Sequence, residues 1–207
     1  MFTFVSITTK MTKIMRGRPA AFNGEDIIQK AMLVFTEKGY YATSLDDLLQ
    51  TTGMGSGSFY NTFKGGKKEL FRKVLAQRRA AFQQFKSALQ KSDNSLELIK
   101  SFFRGIAATD KHTHLQGCII ANTVMEMSCL DDELEAEAVA ILKEVEQMYT
   151  AAIRNAQVKQ HIRNQTDAAI LGRYLITLWN GINVTRRMYP NPEILAEQIE
   201  MQLAIIS

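Results

Sequence analysis

Residues Gly55-Ser56-Gly57-Ser58-Phe59-Tyr60-Asn61-Thr62 are small and polar where a surface helix usually carries long charged side chains. Short hydroxyl and amide groups let a helix backbone come close to phosphates and base edges. The chemistry they offer is hydrogen bonding to nucleic acid. Ahead of them lies a compact basic motif, Arg16-Gly17-Arg18-Pro19. Arginine suits the narrow, negative minor groove of A/T-rich DNA, so Arg16 and Arg18 are expected on an arm that enters it. A solvated basic tail is the plainer alternative.

A second group with reactive potential is His112-Thr113-His114-Leu115-Gln116-Gly117-Cys118. A thiol at a helix start beside a cation titrates low and can sense oxidants or electrophiles. Histidine and cysteine also bind metals, but this spacing matches no strong metal signature. The ordinary alternative for Cys118 is a buried small hydrophobe. With Cys129 it makes two cysteines, too few for a disulfide framework. No Ser/His/Asp arrangement and no phosphate loop is visible, so no catalytic residue, cofactor or metal site is expected.

These groups need a scaffold. The chain has 207 residues, 46% of them hydrophobic and only 3 proline, and strand-type alternation is hard to find. That composition predicts an all-α protein with a sizeable core. Charge is unevenly spread. Residues 1–79 hold 13 Lys and Arg against 6 Asp and Glu, a net +7, whereas residues 80–207 hold 12 against 15, a net −3. A basic head on a mildly acidic body fits a nucleic-acid binder whose body has another job.

The periodicity predicts about nine helices. Asn23 is expected to cap the first, whose buried face is Ile27, Ala31 and Phe35 and whose end is Gly39. Ser44 caps the second, Leu45–Gln50. Gly53 makes the turn, Gly55 or Ser56 opens the third, and Phe59 and Phe63 anchor it. A long fourth helix, Lys67 to Gln90, shows Leu70, Val74, Ala81, Phe85 and Leu89 on one stripe. Later helices are expected over Ser95–Thr109, Gly117–Ser128, Leu134 to Ala156, Thr166 to Met188, and from Pro192 to the C-terminus. The organisation is read as a basic arm (1–22), a helix-turn-helix domain (23–66) and an effector-binding and dimerisation domain (67–207).

Two short helices joined by a tight glycine turn, the second rich in hydroxyls, form the helix-turn-helix pattern. Here the residues resemble the TetR family of bacterial regulators. The resemblance is carried by Phe35-Thr-Glu-Lys-Gly39-Tyr40, Ala42-Thr43-Ser44-Leu45, Gly53, Gly57-Ser58-Phe59-Tyr60, Phe63 and Lys67 to Leu70, and by Gly117-Cys118-Ile119-Ile120-Ala121-Asn122 farther on. It implies a homodimer on double-stranded, palindromic operator DNA, with the third helix of each subunit in the major groove. It also implies a cavity in the body where a small-molecule effector acts, most often to release a repressor. By the same resemblance, Thr43, Tyr60 and Lys67 would meet phosphates, Ser56, Ser58 and Asn61 would face the groove, and Gly57 would allow close approach.

Three positions depart from the family pattern. Gly55 replaces a frequent serine cap, a loss of roughly a few tenths of a kcal/mol. Thr62 stands where histidine is common. The stretch Phe63 to Leu70 is one residue longer than usual, so Lys67 or Lys68 is the contacting lysine.

In the body, Phe102, Phe103, Cys118, Met125, Met148, Tyr149 and Trp179 are expected to line the effector cavity; core packing is the alternative for each. Pairing of the last two helices with their copies is expected through Tyr174, Leu175, Leu178, Ile182 and Thr185, and through Ile194, Leu195, Ile199, Leu203 and Ile206, with burial within one chain as the alternative. No apolar run reaches the ~18 residues of a membrane span. Lysines interrupt the mildly apolar residues 1–15, so a secretory signal is not expected, and a cytoplasmic protein is; Met11 and Met15 stand beside Met1 as candidate starts. A thiol-based sensor acting through Cys118 is the alternative function.

Overall fold

The computed structural model describes residues 24–108, 117–189 and 191–207. Among them the chain forms nine α-helices and a closing 3-10 turn, Ala204–Ile206. The expected cap Asn23 lies outside the described residues.

Helix α1 (Gly24–Lys38) carries acids in its first turn and a lysine in its last, which complements the helix dipole. It buries Ile27, Ala31, Val34 and Phe35. Gly39 ends it at φ +84°, donating its N–H to Phe35 O. Helix α2 (Leu45–Thr52) opens with a capping box: the Asp47 amide donates to the Ser44 hydroxyl, and the Asp47 carboxylate accepts from the Ser44 amide. Gly53 closes α2 in the left-handed region at φ 72°. Helix α3 (Ser56–Thr62) starts at Gly55 without a side-chain cap, as its sequence requires. Phe59 and Phe63 are buried beneath it, and burying one such ring stabilises by about 1.5–3 kcal/mol. An aromatic cluster of Phe35, Tyr40 and Phe71 joins this head to α4 (Gly66–Lys91).

Helix α4 buries Leu70, Phe71, Val74 and Leu75 near its start and Leu89 near its end. Between these, Ala81 is exposed instead of inward. Along another face, from its first turn to its middle, α4 leans on α7 (Asp132–Val158) through charge. Lys68 meets Glu133, Arg72 meets Glu137 and Arg79 meets Glu144, a constant offset of 65 residues that sets the two helices parallel and in register.

The body is completed by α5 (Ser95–Ala107), α6 (Ile119–Met127), α8 (Ala168–Met188) and α9 (Pro192–Leu203). Asn94, Asp131, Asp167 and Asn191 cap α5, α7, α8 and α9 with their side chains. Helices α7 and α8 pack closely at Gly172, where a Cβ would lie 2.9 Å from the Thr150 nitrogen. The α8 residues Leu175, Leu178 and Ile182 and the α9 residues Leu195, Ile199 and Leu203 are buried within their own chain. They were expected on a pairing face and serve the core instead. Exposed apolar residues form other stripes: Ile170, Val184 and Met188 on α8, and Ile194, Met201 and Ile205 after them.

Candidate nucleic-acid interface and interior cavity

Helix α3 presents Ser56, Gly57, Tyr60 and Asn61 to solvent, two residues and their neighbours one turn later. Thr62 is exposed beside them, and its hydroxyl donates to Ser58 O at 2.9 Å. Ser58 is half-buried at the edge of this face. A Cβ at Gly57 would meet nothing within 4 Å, so its backbone is open to close approach. Tyr60 is half-exposed, its ring edge-on to Phe59 at 5.5 Å. Arg16 and Arg18 lie outside the described residues.

Thr43 and Lys67 do not present themselves as phosphate ligands. The Thr43 hydroxyl is fully buried and donates to Gly39 O at 2.6 Å. The Lys67 ammonium donates to Tyr40 O and Thr43 O, each at 3.0 Å, and lies 4.4 Å above the Tyr40 ring. Burial holds its pKa below the ordinary lysine value, partly offset by the charge of Glu126. Both side chains therefore close the α1–α2 turn. Lys68, the other candidate, turns to Asp131 and Glu133.

The same turn is gripped from the body. Glu126, on α6, accepts the Tyr40 amide at 2.9 Å and the Tyr41 amide at 2.8 Å. A Cβ on Gly39 would lie 3.0 Å from that carboxylate.

Behind α1 lies a cavity of ≈ 370 Å³. Its walls combine Met32 and Thr36 of α1 with Arg78 of α4. Phe102, Gly105 and Ile106 of α5, Gly117 and Ile119 at the start of α6, and Trp179 and Arg186 of α8 complete it. The volume falls in the range of small-molecule sites.

Comparison with known proteins decides what these features belong to. The profile of "Bacterial regulatory proteins, tetR family" matches residues 27–74, and that of "Tetracyclin repressor-like, C-terminal domain" matches residues 96–201. The chain belongs to the TetR family. It is a DNA-binding transcriptional regulator of that family. The chain is similar to the transcriptional repressor DhaR of Mycobacterium sp. (strain GP1), at 27% identity covering 83% of this chain and 85% of that one. It is also similar to the repressor ComR of Escherichia coli (strain K12), at 28% identity covering 87% of each. The TetR-family regulator CifR, solved as a cysteine mutant with operator DNA, superimposes with a TM-score of 0.73 at 25% identity, covering 90% of this chain and 98% of that one.

Within this TetR-family body the expected effector residues separate. Phe102 and Trp179 line the cavity, their rings 5.1 Å apart. Phe103 and Tyr149 are fully buried behind it and pack on each other at 6.1 Å. Burial, with the Cys118 thiol nearby, pushes the Tyr149 phenol well above its usual range. Met148 lines a separate cavity between α4 and α7, with Leu89 and Ala152. Met125 is 80% exposed and lines neither cavity; the apolar face of α6 is Ile119, Ile120, Thr123 and Met127. Cys118 is 1% exposed at the N-cap of α6, the buried reading rather than the partly exposed setting of a reactive thiol. His112 and His114 lie outside the described residues.

Sequence reasoning missed Arg186, Arg78 and the α1 wall. The signal for Arg186 was present, because it continues the buried spacing of Leu175, Trp179 and Ile182 on α8.

Proposed function

We propose that the chain is a homodimeric repressor of palindromic operators, released when a small effector enters the cavity behind α1. The observation that carries this reading is the shared wall: Met32 and Thr36 of the DNA-binding head face the same space as Phe102, Trp179 and Arg186 of the body. A ligand that fills this space better in one head position than another shifts the population of head positions. Helix α6 supplies a second route. It lines the cavity at Ile119 and holds the α1–α2 turn at Glu126.

On DNA, Ser56, Gly57, Ser58, Asn61 and Thr62 lie against the major groove, and Tyr60 donates its hydroxyl to a phosphate. Arg16 and Arg18 enter the adjacent minor groove. Residues 23–66 form the DNA-binding domain and 67–207 the effector and dimer domain. The dimer forms through the exposed stripes of α8 and α9, Ile170, Val184 and Met188 with Ile194 and Met201, since apolar patches of this kind mark interfaces.

Selection of bound duplexes from a random pool tests the reading. The expected product is an inverted repeat bound by two chains, with an affinity that falls steeply with salt. Retention of duplexes with no shared sequence would contradict it.

A further inference from the structure

Arg186 occupies a position built for a hydrocarbon side chain. It lies one step along the buried stripe of Leu175, Trp179 and Ile182, and it is 5% exposed. Its Nε is buried without a hydrogen-bond partner. Burial holds its pKa below the ordinary arginine value, the Cys118 thiol opposing that shift and the like charge of Arg187 adding to it. None of the ion pairs formed among the described residues includes it. A buried cation without a counter-charge is costly, and an unsatisfied buried donor calls for a partner. The guanidinium faces the cavity behind α1. Among the described residues, that cavity carries a second cation, Arg78, an apolar wall of Phe102, Trp179 and Ile119, and no Asp or Glu.

We infer that this cavity binds a small organic anion, an aromatic or medium-chain carboxylate, with its carboxylate on Arg186 and its hydrocarbon against Phe102 and Trp179. The guanidinium fork matches a carboxylate with two parallel hydrogen bonds. Burial makes that pairing selective, because a neutral analogue leaves the guanidinium without its counter-charge. The inference rests on the reading of the chain as an effector-released repressor and names the class of effector.

Trp179 is the single tryptophan of the chain, so its fluorescence reports occupancy at this wall. The full-length protein without DNA is titrated with 2-naphthoate and decanoate, with 2-naphthamide and decanamide, and with inorganic phosphate, by calorimetry and by Trp179 emission. The acids are expected to bind at least about tenfold more tightly than their amides and to change Trp179 emission, with phosphate weaker than either acid. Arg186→Met is expected to erase the preference for the acids. Equal binding of acids and amides by the wild-type chain overturns the inference, and that comparison needs no variant to fold. Acid binding that leaves Trp179 emission unchanged, or phosphate binding as well as the acids, overturns it too. Operator release is measured separately. Acids that bind through Arg186 yet leave the operator complex intact would keep the anion site and refute the release reading. Absence of any acid preference in the wild-type chain, with sequence-selective operator binding retained, would refute the anion site and leave the regulator standing.

Discussion

Tyr60 is half-exposed, and its hydroxyl reaches solvent on the same face as Ser56 and Asn61. Tyr60→Phe keeps the ring on Phe59 and removes the hydroxyl proposed to donate to a phosphate. Binding is expected to weaken by a similar factor on every operator variant; a change in sequence preference, read by anisotropy across a set of duplexes, would contradict the phosphate role. Lys67 makes the opposite case. Its ammonium is held by two backbone carbonyls, so Lys67→Met is expected to lower the melting temperature. It should leave the log–log salt dependence of DNA binding unchanged. A fall in that slope of about 0.9 would instead identify a phosphate contact. The reason Lys67 could not be placed from sequence is local. Its partners are backbone oxygens, 24 and 27 residues earlier, and backbone atoms leave no trace in residue types. Tyr60 and the serines of α3 were legible because a face of small polar side chains is itself the signal.

Among the elements, the turn between α1 and α2 is held from both sides, by the head's own capping box and Lys67 and by Glu126 of the body. The Ser44–Asp47 capping box fixes the start of α2, and Ser44→Ala is expected to reduce stability by about 1 kcal/mol in a urea titration. The Lys38 ammonium, then the Ser44 amide and hydroxyl, hold Asp47 down at about 2. The contribution of Asp47 is therefore present above the unfolded-state value near ~4 and is lost as pH falls through about 2. Asp47→Asn should flatten the stability profile in that acid window and change nothing in the slope at neutral pH. From the body side, the Glu126 carboxylate holds the two turn amides. Glu126→Gln cannot accept both amides with ionised oxygens. It is expected to keep DNA binding while weakening the link between cavity occupancy and release, measured as the ratio of operator affinities with and without ligand. A ratio equal to wild type would show that the coupling runs through α1 alone. Capping residues and glycines made every helix boundary readable to within a few positions. Ala81 in the middle of α4 was not readable: Phe82 and Phe85 pack against the core there, but an exposed alanine looks like a buried one in a periodic pattern.

At the scale of the whole molecule, the head meets the body at the Phe35–Tyr40–Phe71 aromatic cluster, at the Glu126 grip on the α1–α2 turn and at the cavity behind α1, and within the body a ladder of ion pairs joins α4 to α7. The ladder is solvent-exposed, so it adds little stability, but its constant spacing fixes the register of α4. The proposed dimer face rests on exposure rather than on periodicity. The periodic apolar positions of α8 and α9 are consumed within the chain, and the residues left outside, Val184 and Met201 among them, fall between the expected stripes. Val184→Glu with Met201→Glu should yield a folded monomer by light scattering that no longer holds operator; a dimer of unchanged strength would place the interface elsewhere. Gly105 allows the central claim to be tested without knowing the effector. It lines the cavity, and a Cβ there would meet nothing within 4 Å, so Gly105→Phe puts a ring where the effector would sit. The measurement is the operator affinity of this variant beside that of the wild type, with helicity and dimerisation verified. Occupancy of the cavity is predicted to weaken operator binding by about tenfold, in the usual range of coupling between sites. A folded, dimeric Gly105→Phe chain that binds operator as tightly as wild type would contradict the claim that filling this cavity moves the head.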